Sequence, residues 1–225
     1  LAESRQTGVD LSYQIIGNDI SSNLKTIVST GADFFAFGDG GGIVQGDSLG
    51  EVWEALPDVG NFSFTSAIYD SPNIVAVGYD SSNYPICIST IDGIIYTRYG
   101  VPGIYPLRHI VQNTSLYVAV GDTGTLLTFD TAAVFPLEPE WVVQISGVAN
   151  DLSCVIFDGI RYVAVGADST IIKSNDSDAT TWTTVSFPIP GKNFTSICYT
   201  GTTYIVVGDG VIATSLNTES SPNLA

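Results

Sequence analysis

Tyr117–Gly121 reads YVAVG, and Tyr162–Gly166 reads YVAVG again. Three further stretches share the pattern: Phe34–Gly38 (FFAFG), Ile74–Gly78 (IVAVG) and Tyr204–Gly208 (YIVVG). Their closing glycines are 40, 43, 45 and 42 residues apart. Strand-like units at such a period indicate a solenoid or a propeller built from four-stranded blades. The stretch is a continuous apolar run of β-branched and aromatic residues, as a strand buried on both faces requires. Two positions before each glycine stand Ala36, Ala76, Ala119, Ala164 and Val206. A small residue there is expected to let sheets approach near an axis, with the glycine at a tight backbone meeting point.

Each repeat then divides into four strands. In the fourth, Leu152–Phe157 leads through an Asp158-Gly159 turn into Tyr162–Gly166. Thr170–Ser174 follows, then a polar loop, then a strand from Trp182. Asp-Gly between apolar runs is a strong hairpin signal. The fifth repeat lacks a fourth strand of its own. Tyr13–Ile16 (YQII) has the character of the others, and Tyr13 lies 11 residues before Leu24. Trp53 to Phe64, Tyr96 to Leu107 and Trp141 to Leu152 are also 11, and Trp182 to Phe194 is 12. The expectation is an all-β, five-bladed β-propeller over residues 1–225 as a single domain, closed by the N-terminal strand. The blades fall near 24–56, 64–99, 107–145, 152–186, and 194–216 plus 11–17.

Composition agrees with many short strands. Hydrophobic residues make up 44% and charged residues 13%, against about 25% charged in an average domain. Net charge is −16, with seven basic residues facing 23 acidic ones. Such a surface repels nucleic acid and anionic membranes. No apolar run approaches the ~20 residues of a membrane helix, so membrane insertion is not expected. Methionine is absent, so the chain reads as a processed product or a piece of a longer protein. Cysteines are Cys87, Cys154 and Cys198. Cys87 and Cys198 are expected to be buried free thiols. One histidine and no Cys-x-x-Cys spacing argue against zinc.

The YVAVG strand, a turn, a Ser-ended strand, an Asp-containing loop and then Trp resemble the BNR or Asp-box propeller repeat. Ser174, Asn175, Asp176 and Trp182 carry one copy; Ser89, Asp92, Gly93 and Tyr96 carry a second. Gly46 and Phe129 replace the serine in the first and third repeats. The repeat is also similar to propeller photosystem assembly factors and to bacterial surface and phage tail proteins. Sialidases share it, and their chemistry needs three converging arginines. Arg5, Arg98, Arg108 and Arg161 give no evident trio, so the expectation is no enzyme and no cofactor.

Other candidates follow from spacing. Asp39, Asp80, Asp122, Asp168 and Asp209 recur once per repeat and could hold Ca²⁺, although Asp simply favours turns. Thr26, Ser66, His109, Cys154 and Ser196 could line a central channel. Asn61, Asn113, Asn175 and Asn193 begin glycosylation triplets in expected loops. Thr131–Pro139 is an insertion carrying Val134, Phe135 and Leu137, apolar residues in a loop that should face water. The functional expectation is a non-enzymatic extracellular or virion attachment module that assembles with other protein subunits through that loop. A glycan-binding lectin recognising surface glycans is the alternative, and a glycosidase stands third.

Overall fold

The computed structural model describes residues 22–132 and 140–216. Among them the chain forms five antiparallel sheets. The first holds β1 (Leu24–Ser29), β2 (Phe34–Gly38), β3 (Ile43–Gly46) and β4 (Trp53–Ala55). The second holds β5 (Phe62–Asp70), β6 (Asn73–Asp80), β7 (Pro85–Thr90) and β8 (Tyr96–Tyr99). The third holds β9 (Leu107–Gln112), β10 (Leu116–Gly121), β11 (Leu126–Asp130) and β12 (Trp141–Val143). The fourth holds β13 (Leu152–Phe157), β14 (Tyr162–Gly166), β15 (Ile171–Ser174) and β16 (Trp182–Thr184). The fifth holds β17 (Ser196–Tyr199), β18 (Thr203–Gly208) and β19 (Val211–Leu216). In each sheet the strands pair in chain order. This is an all-β propeller. The expected closing strand, Tyr13–Ile16, lies outside the described residues.

The repeated YVAVG strand is the second of each blade, not the axial one. The first strands β1, β5, β9, β13 and β17 pack successively against one another. Ala76, Ala119 and Ala164 instead sit in the layers between neighbouring blades. The small side chain makes room for the large residues of the preceding blade, such as Phe37 and Ile43 against Ala76.

The closing glycine has a specific cause. A β-carbon on Gly38, Gly78, Gly121, Gly166 or Gly208 would collide with the carbonyl of Asn23, Ser63, Pro106, Asp151 or Asn193 respectively. Three of those carbonyls also accept from the next residue along: Asp39 N–H to Asn23 at 3.1 Å, Asp122 N–H to Pro106 at 3.0 Å, and Ala167 N–H to Asp151 at 2.8 Å. The contact coincides with a bulge, since register shifts occur at Leu24/Thr26, Phe64/Ser66, Val120/Gly121 and Leu152/Cys154.

Four apolar clusters fill the spaces between successive blades. The outward faces of the first and fifth blades differ from the rest. Leu24 is 42% exposed, whereas its counterparts Phe64, Leu107, Leu152 and Phe194 are fully buried. Ile212 is 77% exposed, whereas Ile43, Cys87 and Leu126 at its position are buried. Cys198 is exposed, contrary to the expectation of a buried thiol. It stands on the face that the following blade covers in the other sheets, where Ile68, Val111 and Ile156 pack.

Candidate interaction surfaces

The turns between second and third strands gather charge at one end of the sheets. The bulge turns Lys25 of β1 and Arg108 of β9 toward the turn aspartates. Lys25 pairs with Asp39. Arg108 makes a two-pronged pair with Asp122, Nε to Oδ1 at 2.5 Å and a terminal nitrogen to Oδ2 at 2.6 Å. Tyr79 lies between them, its ring centroid 5.7 Å from Lys25 Nζ and 5.7 Å from Arg108 Cζ. The pairing hydrogen bond holds the Asp39 carboxyl below its ordinary pKa. Sequence reasoning missed both pairs. The available signal was a cation 14 residues before the turn aspartate in each.

The other three turn aspartates bind backbone. Asp80 accepts from the Ser82 and Tyr84 amides at 2.8 and 3.0 Å. Asp168 accepts from Gly191 at 3.1 Å, and Asp209 from Asn193 at 2.9 Å. The five thus occupy equivalent turns but have different partners. Among the described residues no group of three or more His, Cys, Asp or Glu is placed to hold a metal ion.

The loops between third and fourth strands are built on side-chain acceptors. Asp47 accepts from the Glu51 amide at 2.8 Å, and Asp92 from Ile94 and Ile95, both at 2.9 Å. Trp53 Nε1 donates to the Gly50 carbonyl and Trp182 Nε1 to that of Ala179, both at 2.9 Å. Tyr162 N–H donates to Ser174 Oγ, which donates to the Asp176 carbonyl at 2.6 Å. In the second blade this role falls to Thr90, not Ser89. Thr90 lies opposite Tyr96 as Ser174 lies opposite Trp182, and its hydroxyl donates to the Ile95 carbonyl at 2.7 Å.

Of the axial residues, Ser66 is buried, and its Oγ accepts from the Ile110 amide at 3.3 Å. His109 Nδ1 accepts from the Val155 amide at 3.5 Å, and burial pushes its pKa down. Burial raises the Cys154 thiol, and lifts that of Cys87 to about 12.

Asn61, Asn175 and Asn193 are exposed and Asn113 is half-buried, all outside strands. Asn113 Nδ2 donates to the Ser177 carbonyl at 3.3 Å, and its Oδ1 accepts from Ser115 and Leu116. Asn175 Nδ2 donates to Thr181 Oγ1 at 3.1 Å. Val134, Phe135 and Leu137 lie outside the described residues. The strand after them, β12, leaves Val142 53% and Val143 59% exposed, and Ile145 beyond it is 85% exposed.

A groove of about 630 Å³ separates the fourth and fifth blades. Val163, Lys173, Val185 and Phe187 line one wall, and Tyr204, Val206, Ala213 and Ser215 the other. The Tyr204 hydroxyl donates to Asp158 Oδ2 of the preceding blade. Tyr117 bridges its own blade to Asp70 in the same way, at 2.5 Å. Burial first, and then the carboxylate, raises the pKa of both tyrosines.

No protein-family model matches the chain, and no curated protein sequence does. Solved structures do resemble it. YCF48 from Cyanidioschyzon merolae superposes with a TM-score of 0.66 at 16% identity, over 89% of this chain and 69% of that one. The Myceliophteria thermophila Cps50 (Swd1) β-propeller domain gives 0.66 at 14% identity, over 94% and 71%. The WD40 β-propeller domain of Doa1 gives 0.66 at 12% identity, over 87% and 65%. At these identities the likeness establishes the fold: this chain is similar to β-propellers.

Proposed function

We propose that this chain is a non-enzymatic propeller module of the Asp-box type that works by protein–protein assembly at an extracellular or virion surface. The observation that carries the reading is the exposed apolar run Val142, Val143 and Ile145, which directly follows the Thr131–Pro139 insertion. Exposed apolar groups that cluster on an acidic surface mark contacts. Val134, Phe135 and Leu137 extend the same apolar character along the chain. The Asp47, Asp92 and Asp176 loops support the Asp-box assignment, because their carboxylates cap turns. The strongly acidic composition suits an exposed location and disfavours nucleic-acid partners.

The test is sedimentation velocity over a rising concentration series. The unaltered protein should self-associate. A variant carrying Val142→Ser, Val143→Thr and Ile145→Ser should remain monomeric with an unchanged melting temperature. Equal behaviour of the two proteins at every concentration would refute the assembly surface.

A further inference from the structure

Four of the sheets end on an outer strand, β4, β8, β12 or β16, and among the described residues no strand pairs with the far edge of any of them. Such an edge is a template for another strand unless a charge or a proline guards it. Which backbone groups it offers follows from the inner ladder. The amide just past three of these strands donates inward: Leu56 to the Ile43 carbonyl at 2.9 Å, Gln144 to that of Leu126 at 2.9 Å, and Val185 to that of Ile171 at 2.8 Å. Antiparallel bonding alternates along a strand, so the backbone groups of Trp141, Val143 and Ile145 turn to the free edge. Gln144 Nε2 donates to Thr128 Oγ1 at 2.8 Å, and Thr128 stands opposite Val142. Val142 and Gln144 therefore share one face, and Val143 stands on the other.

Two copies that meet edge to edge about a two-fold axis run antiparallel and set one outward-turned residue against itself. The position of Val143 is held by Ala55 in β4, Arg98 in β8 and Thr184 in β16. Centring on Ala55 brings Trp53 against Pro57, which has no N–H to give. Centring on Arg98 opposes two like charges. Centring on Thr184 opposes two hydroxyls that water already serves, with Thr183 beside them. Only β12 is unguarded: from Trp141 to Asn150 the chain has no charged residue and no proline, and Val142, Val143 and Ile145 are exposed.

We propose that β12 pairs antiparallel with β12 of a second copy of this chain, Val143 against Val143, to give one continuous sheet of four strands from each copy. This rests on the assembly reading above and names its partner and its bonding. In this register the two Val143 residues exchange backbone hydrogen bonds, and Trp141 does so with Ile145 of the other copy. Val142 lies across from Gln144. Facing β-branched side chains favour a sheet, and Glu140 falls across from Ser146 rather than from another carboxylate. Strand addition draws its affinity from main-chain bonds. It therefore needs no complementary charge between copies that each carry −16.

The test is disulfide trapping in the full chain. Cys198→Ser removes the exposed thiol, leaving Cys87 and Cys154 buried. In that background Val143→Cys should oxidise to a covalent dimer, because its α-carbon lies about 5.5 Å from that of its own copy, within disulfide reach. Val142→Cys should stay monomeric under the same oxidation. Its own copy stands two residues along the neighbouring strand, about 8 Å away. Equal rates for the two variants would overturn the pairing and leave assembly as an apolar contact without register. Bonds from neither variant, while the unaltered protein still self-associates, would also overturn the pairing alone. An unaltered protein that is monomeric at every concentration would overturn the assembly reading and the pairing with it. Should Val143→Cys fail to fold, hydrogen exchange on the unaltered chain decides. The amides of Trp141, Val143 and Ile145 should slow as protein concentration rises, while those of Val142 and Gln144 stay as they are. Exchange that is independent of concentration at all five would overturn the pairing.

Discussion

At the scale of single residues, the glycine that closes each repeat is set by close backbone approach rather than by turn conformation. Gly121 has φ −164°, an extended value open to any residue. What excludes a side chain is the Pro106 carbonyl, which is fixed by the Asp122 amide at 3.0 Å. Backbone cannot yield as a flexible side chain can. Gly121→Ala should therefore cost about 3 kcal/mol, the upper end of overpacking. Urea titration checks this, and a loss below about 0.5 kcal/mol would show that the bulge relaxes easily. His109 offers a second residue-scale test. Its Nδ1 accepts a hydrogen bond and its pKa is lowered by burial, so the folded state favours the neutral ring. The unfolded chain then binds the proton more readily. Stability should fall as pH drops through the unfolded value of about 6.5, and level off below the folded one. The carboxylates with lowered pKa, Asp39, Asp47 and Asp92, act in a separate window, below about pH 4. Between about pH 7.5 and about pH 5.5, His109→Gln should lose less melting temperature than the unaltered protein. Equal losses would place the titrating group elsewhere.

At the scale of elements, the second strands were legible because both their faces are buried. An unbroken apolar run marks such a strand whatever surrounds it. The third strands were harder to index. Ser81–Pro85 enlarges the turn of the second blade, and the serine nearest the expected position, Ser89, lies one residue short of Thr90. A slip of one residue in a strand moves a side chain to the opposite face, and Thr90 is the residue facing Tyr96. The bulge in the first strands was illegible for a related reason. It leaves no mark in the apolar pattern, yet it alone turns Lys25 and Arg108 toward Asp39 and Asp122. Cys198 shows the remaining limit. Its neighbours Ile197 and Tyr199 suggest burial, but exposure depends on what packs against that face of the sheet, which local sequence does not encode.

At the scale of the whole molecule, charge and apolar surface oppose each other. Net charge is −16, and of the seven basic residues three are held by neighbours: Lys25 and Arg108 by aspartates, Arg98 by the face of Phe62 at 5.1 Å. Two copies approaching through the β12 rim would therefore repel over long range and attract only on contact. The repulsion is screened by salt, with a Debye length of about 30 Å at 0.01 M falling to about 8 Å at 0.15 M. Apolar contact is not weakened by such screening. Assembly through Val142, Val143 and Ile145 should thus strengthen as sodium chloride rises from about 0.01 M to about 0.15 M. An interface held by ion pairs would weaken over the same range. Sedimentation velocity at fixed protein concentration separates the two. Association that falls with added salt would rule out the apolar rim as the contact and direct attention to the charged turns around Tyr79.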